Sequence, residues 1–128
     1  MDELIARVSA AIGVDAEVAK AAVGQVLAFL HEEIPEGPVS EFLDKVAGSR
    51  EVVEQAAASG DAGGMGGLLG GLMGSGLMGL AAKLNGLGLD MGQIQKLGHE
   101  IFGYAEGVIG REKVQQIAGA IPGLSQFL

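Results

Sequence analysis

The turn Ile12-Gly13-Val14-Asp15 returns 75 positions later as Leu87-Gly88-Leu89-Asp90, and this pair of turns constrains the chain more than any other feature. Each turn specifies backbone geometry as well as hydrophobicity. The glycine suits the left-handed residue that stops a helix, and the aspartate two residues on offers its carboxylate to the free amides of the next helix. The same register carries an apolar pattern. Val26, Leu27 and Phe29 fall on Ile101, Phe102 and Tyr104, and Ile34 falls on Ile109. Val39, Phe42, Val46 and Gly48 fall on Val114, Ile117, Ile121 and Gly123, and Val52-Val53 falls on Phe127-Leu128. One inserted residue upstream brings Leu4, Arg7 and Val8 onto Leu80, Lys83 and Leu84. Any two amphipathic helix pairs can be slid into apolar register, but the matched turns favour a true internal repeat.

Within each repeat the spacing is helical. Leu4, Ile5, Val8 and Ile12 recur at three and four residues and predict a helix that stops at Gly13. A second helix follows with Val18, Ala22, Val26, Phe29 and Leu30 on a broad apolar face. It should end near Ile34, because proline disfavours helical geometry in the residue before it and Pro35 comes next. Glu36-Gly37-Pro38 reads as a loop. Val39, Phe42, Leu43 and Val46 form another short amphipathic helix closed by Gly48, and Ser49 stands where it can cap a helix through Val52 and Val53. Nothing alternates like a strand.

The expected fold is therefore all-α: two tandem diverged units of three to four short helices, packed on each other about an approximate twofold. The boundaries read as an acidic helical unit at 1–58, a Gly/Met/Leu-rich linker or packing segment at 59–75, and a second helical unit at 76–128. At 128 residues the chain can bury a real core without covalent staples. It has no cysteine, which excludes disulfides, thiolate metal sites and cysteine nucleophiles. Met1-Asp2-Glu3-Leu4 lacks the basic start and apolar run of a secretory signal, so the expected compartment is the cytoplasm.

The net charge of −8 disfavours nucleic acid and anionic lipid as partners. The charge is lopsided: residues 1–61 hold 12 acids and 4 bases, whereas residues 62–128 hold 4 of each. The neutral, more apolar second half is the better place for a protein contact.

Helices that end in Ile-Gly-Val-Asp or Leu-Gly-Leu-Asp, each followed by a long helix, and a short helix that closes on Ala-Ile-Pro-Gly-Leu together resemble the bacterial VcgC/VcgE-type family of unknown function. The likeness covers most of both halves through short motifs. The first half, with Glu-Glu-Ile-Pro-Glu-Gly, is also similar to other bacterial helical domains of unknown function. These resemblances imply a helical fold and bring no activity.

Between Gly60 and Gly79 the chain is glycine, leucine and methionine, with no charge from Ala62 to Ala82. One reading is a flexible linker, because ordering a glycine backbone is costly. Another is helix packing. Gly63, Gly67, Gly71, Ser75 and Gly79 lie four apart, as do Gly66, Gly70 and Gly74, so a helix here would present small faces for close approach. Leu68, Leu69, Leu72, Met73, Leu77 and Met78 would supply the grip on a partner. A membrane span has sufficient length, but the glycine content destabilises a helix interior by roughly 1 kcal/mol per residue relative to alanine, and no basic cluster or aromatic belt flanks the tract.

No motif passes a chemical test. Gly74-Ser75-Gly76-Leu77-Met78-Gly79 matches Gly-x-Gly-x-x-Gly, but no strand pattern precedes it and the nearest acid, Asp90, comes too early for a ribose. His31 with Glu32 and Glu33, and His99 with Glu100, are adjacent pairs whose side chains diverge by about 100° on a helix, a poor arrangement for one ion. The serines read as caps, linkers or solvent residues, with no nucleophile-elbow context. Met65, Met73, Met78 and Met91 have no cysteine or nearby histidine to complete a soft-metal set. Lys20 and Lys96 are too few to hold DNA phosphates against a helix-turn-helix.

The chain is thus expected to be a non-enzymatic protein–protein interaction or self-assembly module, without catalytic residues, metal or cofactor. The expected partners are a second copy or another helical protein, held through Leu68, Leu69, Leu72, Met73, Leu77 and Met78. The alternative is a carrier that holds a fatty or other apolar ligand between the two helical units.

Overall fold

Seven α-helices and no strand make up the described residues of the computed structural model, which are 2–34, 37–61 and 77–121. The protein is all-α.

The first helix, α1 (Asp2–Ile12), opens on Asp2 and Glu3, whose carboxylates favour the positive end of the helix dipole, and buries Leu4, Ile5, Val8 and Ile12. It stops at Gly13, which takes φ +70°. The amides of Gly13 and Val14 both turn back to the Ser9 carbonyl, and the Ser9 hydroxyl donates to the Val14 carbonyl. The second, α2 (Ala16–Glu33), starts after Asp15, whose side chain makes no capping hydrogen bond. Its deepest residues are Ala19, Ala22, Val23, Val26, Leu27 and Leu30, whereas Val18 and Phe29 are only partly buried. It ends at Ile34, whose amide closes on the Leu30 carbonyl at 2.8 Å, as the proline after it requires.

Pro38 occupies the first turn of α3 (Pro38–Lys45), a position where a missing amide costs nothing, and Val39, Phe42 and Leu43 face inward. Gly48, at φ +84°, leads into α4 (Ser49–Asp61). Ser49 does not cap α4 as its position in the sequence suggested. Gly48 supplies the carbonyl that the Val52 amide bonds, while the fully buried Ser49 hydroxyl turns back to the carbonyls of Leu43 and Val46, at 2.8 and 2.7 Å. The serine thus fastens the end of α3 to the start of α4.

The other three helices are α5 (Leu77–Gly86), α6 (Met91–Ile109) and α7 (Arg111–Ala120). Leu80 and Leu84 of α5 are buried, and the helix closes at Leu87-Gly88 with the Leu89 amide bonded to the Leu84 carbonyl. The turn into α6 makes the cap that the Asp15 turn lacks. Asp90 accepts from the Gln93 amide at 2.8 Å, and the Gln93 side chain accepts from the Asp90 amide at 3.0 Å, a full capping box.

Several pairs of residues 75 positions apart are alike in burial. Ala19, Ala22, Val26, Leu27, Leu30, Val39, Phe42 and Val46 are buried, and so are the residues 75 positions on: Ile94, Leu97, Ile101, Phe102, Ala105, Val114, Ile117 and Ile121. The two halves share one core. Helix α1 packs on α6 as well as on its neighbour α2, α5 packs on α2, and α3 packs on α6 and α7. Leu4, Val8, Leu27, Leu84, Leu97 and Ile101 are all almost fully buried inside it. Phe42 and Tyr104 meet edge to face across the halves, with ring centroids 6.2 Å apart.

Helix α4 docks on α2. It lies against α2 over Gly24, where an added Cβ would sit 3.0 Å from Ala56 Cβ, Val52 Cγ1 and the Val52 carbonyl oxygen. Gln25 donates to the Ala56 carbonyl at 3.3 Å. The register partners of Gly24 and Gln25 in α6 are His99, which is exposed, and Glu100, which pairs with Arg7 instead.

Candidate functional site

Four of the six residues predicted to contact a partner, Leu68, Leu69, Leu72 and Met73, lie outside the described residues. Leu77 and Met78 fall in the first turn of α5. No helix among the described residues is long and apolar enough to cross a membrane.

What the structure does define is the seam between the halves, and its polar fastenings come from residues that no motif singled out. Gln93 of the α6 capping box donates through Nε2 to the Ile12 carbonyl at 2.9 Å, so the residue that starts α6 also satisfies an orphan carbonyl at the end of α1. Arg7 of α1 reaches Glu100 of α6 at 3.5 Å. Glu41 of α3 takes Lys113 of α7 and, at 3.0 Å, Lys45 of its own helix. Lys45 also lies 3.4 Å from the Val108 carbonyl near the end of α6. The Lys113 hydrogen bond, followed by that from Lys45, holds the Glu41 carboxyl below its ordinary value of 4.5. The glycine of the repeated turn and the burial pattern were visible in the sequence, whereas these side-chain links are not. Those that cross between the halves join partners 63 to 93 residues apart and follow no local spacing.

The seam is filled. Among the described residues every buried side-chain nitrogen and oxygen has a hydrogen-bond partner. A depression of about 430 Å³ lies on the outer side of α1 and the start of α2, lined by Asp2, Ile5, Ala6, Ser9, Ala10 and Ala16, and it is open to solvent. His31 sits in the last turn of α2, and His99 is exposed on α6. No group of three or more His, Asp or Glu among the described residues is placed to hold a metal ion. Met91, at the start of α6, is 61% exposed.

Compared with protein-family models, curated proteins and solved structures, the chain matches none of them. Its class therefore rests on its own geometry: an all-α protein whose halves interlock through a common core.

Proposed function

We propose that this chain is a non-enzymatic interaction or self-assembly module, which offers its Gly/Leu/Met tract and neutral second half to a helical partner or to a second copy of itself. The observation that carries the reading is how the core is completed. Helices from both halves bury Val8, Leu27, Leu84, Leu97 and Ile101 in one core, and it is between these halves that the carrier alternative would need room for an apolar ligand. Outside that core the chain still holds Leu68, Leu69, Leu72 and Met73 among small residues, a composition suited to close helix approach. The likeness to the VcgC/VcgE-type family adds a helical fold and no activity to this proposal.

Native mass spectrometry of freshly purified protein tests it. A bare dimer or larger assembly supports the module, and a monomer that carries a few hundred daltons of extra mass supports the carrier. The surface is tested with the double variant Leu68→Gln/Leu72→Gln. It should lose the concentration-dependent sedimentation of the parent chain, and unchanged sedimentation would show that the contact lies elsewhere.

A further inference from the structure

Asn85 is the only asparagine in the chain, and glycine follows it. That pair carries a chemistry of its own. The backbone nitrogen of the residue after an asparagine can close a five-membered ring on the side-chain amide carbon. Glycine in that place has no Cβ to crowd the approach and turns freely into the geometry the ring needs. No aspartate in the chain precedes a glycine, so no second pair of this kind competes.

The fold leaves the pair open at the end of a helix. Asn85 and Gly86 are both exposed and are the last two residues of α5. Nothing lies within 4 Å of the position a Cβ on Gly86 would take. The helix is anchored just before them. Leu84 is buried, and its carbonyl accepts from the Leu87 amide at 3.0 Å and the Leu89 amide at 3.3 Å. The Asn85 carbonyl accepts from the Gly88 amide at 2.9 Å. Two effects oppose each other here. Helical geometry ties the Gly86 amide into the ladder and so slows the attack. A helix end frays at small free-energy cost, and a glycine in the last turn lowers that cost further. The two residues that must move bury no side chain, so the turn can open while Leu80 and Leu84 stay in the core.

We propose that Asn85 is a self-modification site of the folded chain. The Gly86 nitrogen gives its proton to water and attacks the side-chain carbonyl carbon of Asn85. The bond from that carbon to the side-chain nitrogen breaks, and the nitrogen takes a proton and leaves as ammonia. Water then opens the cyclic imide at either carbonyl. In sum, one asparagine and one water become one ammonia and one aspartate or isoaspartate, with no oxidant or other co-reactant. The new carboxylate stands in the last turn of α5, at the negative end of the helix dipole. The isoaspartate product also routes the backbone through the side-chain carbons, which lengthens it by one carbon between Leu84 and the Leu87-Gly88-Leu89-Asp90 turn. The bonds from Gly88 and Leu89 back to Asn85 and Leu84 close over that point, so the end of α5 loosens. This chemistry stands whether or not the chain self-associates.

The test follows the full-length chain in warm, mildly alkaline buffer, folded and in concentrated urea, by intact mass. Conversion adds about 1 Da, the exchange of NH2 for OH, and about 3 Da in water labelled with heavy oxygen. Fragmentation of the peptide 84–96, released by cleavage after Lys83 and Lys96, should place the gain on residue 85 and separate aspartate from isoaspartate. The folded chain should convert at a rate within about a hundredfold of the chain in urea, as opening of a helix end requires. Gly86→Ala should slow conversion about tenfold or more in urea as well as folded, because the added methyl crowds the attack, and Asn85→Gln should abolish the gain. A folded chain that lags by more than about a hundredfold reacts only through global unfolding, and the inference falls. It falls equally if the gain lies on a glutamine, or if Gly86→Ala converts as fast as the parent chain. Fully converted protein should unfold at lower urea than fresh protein; an unchanged midpoint would remove the loosening of α5 and leave the modification.

Discussion

Alanine at Gly24 and alanine at Gly103 are the same chemical change in the middle of two register-related helices, and the structure gives them opposite signs. Replacing a helix-interior glycine by alanine stabilises a helix by about 1 kcal/mol through backbone entropy alone. At Gly103 nothing lies within 4 Å of the added methyl, so the full gain should appear. At Gly24 the methyl would arrive 3.0 Å from Ala56 Cβ, Val52 Cγ1 and the Val52 carbonyl oxygen. None of the three can swing aside: one is a methyl fixed to backbone, one belongs to a β-branched side chain with a stiff χ1, and one is backbone. Helix α4 must move away as a body. Overpacking of this kind costs about 1–3 kcal/mol, which outweighs the propensity gain and leaves a net loss of roughly 1 kcal/mol. Urea unfolding followed by helical circular dichroism reads both variants. With a slope of about 1–3 kcal/mol per molar, Gly24→Ala should lower the midpoint and Gly103→Ala should raise it, each by roughly half a molar. A Gly24→Ala protein as stable as the parent chain would refute the close docking of α4.

Gln93→Ala removes the donor to the Ile12 carbonyl and half of the α6 capping box together, and should cost about 1–2 kcal/mol in the same assay; a loss under a few tenths would mean that water replaces both bonds. Glu41→Gln tests the α3–α7 link through pH. The folded pKa of Glu41 is depressed by Lys113 and Lys45, so its contribution is present above the unfolded carboxylate range and lost as pH falls through the folded value. The stability gap between the parent chain and the variant should be visible near pH 7 and close well below pH 4.5, and a gap that stays constant over that range would contradict the ion pair.

Much of the fold was legible because its signals are local. The stops at Gly13 and Gly88, the end of α2 at Ile34 and the short α3 before Gly48 each follow from one residue's backbone preference, and the structure places them within a residue or two of their expected positions. The Asp15 and Asp90 turns look alike in sequence, yet only Asp90 caps; the reciprocal bond from the Asp90 amide is made by the Gln93 side chain, and Val18 at the matching position of the first half has no acceptor to make it. The interlocking of the halves was out of reach for a different reason. Periodicity identifies which face of a helix is buried and says nothing about which helix buries it. The depth of Ala19, Val23 and Leu27 relative to Val18 and Phe29 likewise depends on α2 being covered from several sides at once. Gly24 read as an ordinary helix glycine, because the carbonyl it admits belongs to a residue 28 positions away.

The packing of α1 on α6 has a consequence in time. A ribosome adding about 5–20 residues per second completes α1 first and reaches Ile101 only after roughly 5–20 s more. Through that interval Leu4 and Val8 have no α6 to cover them. The chain cannot finish its core from the amino terminus forward.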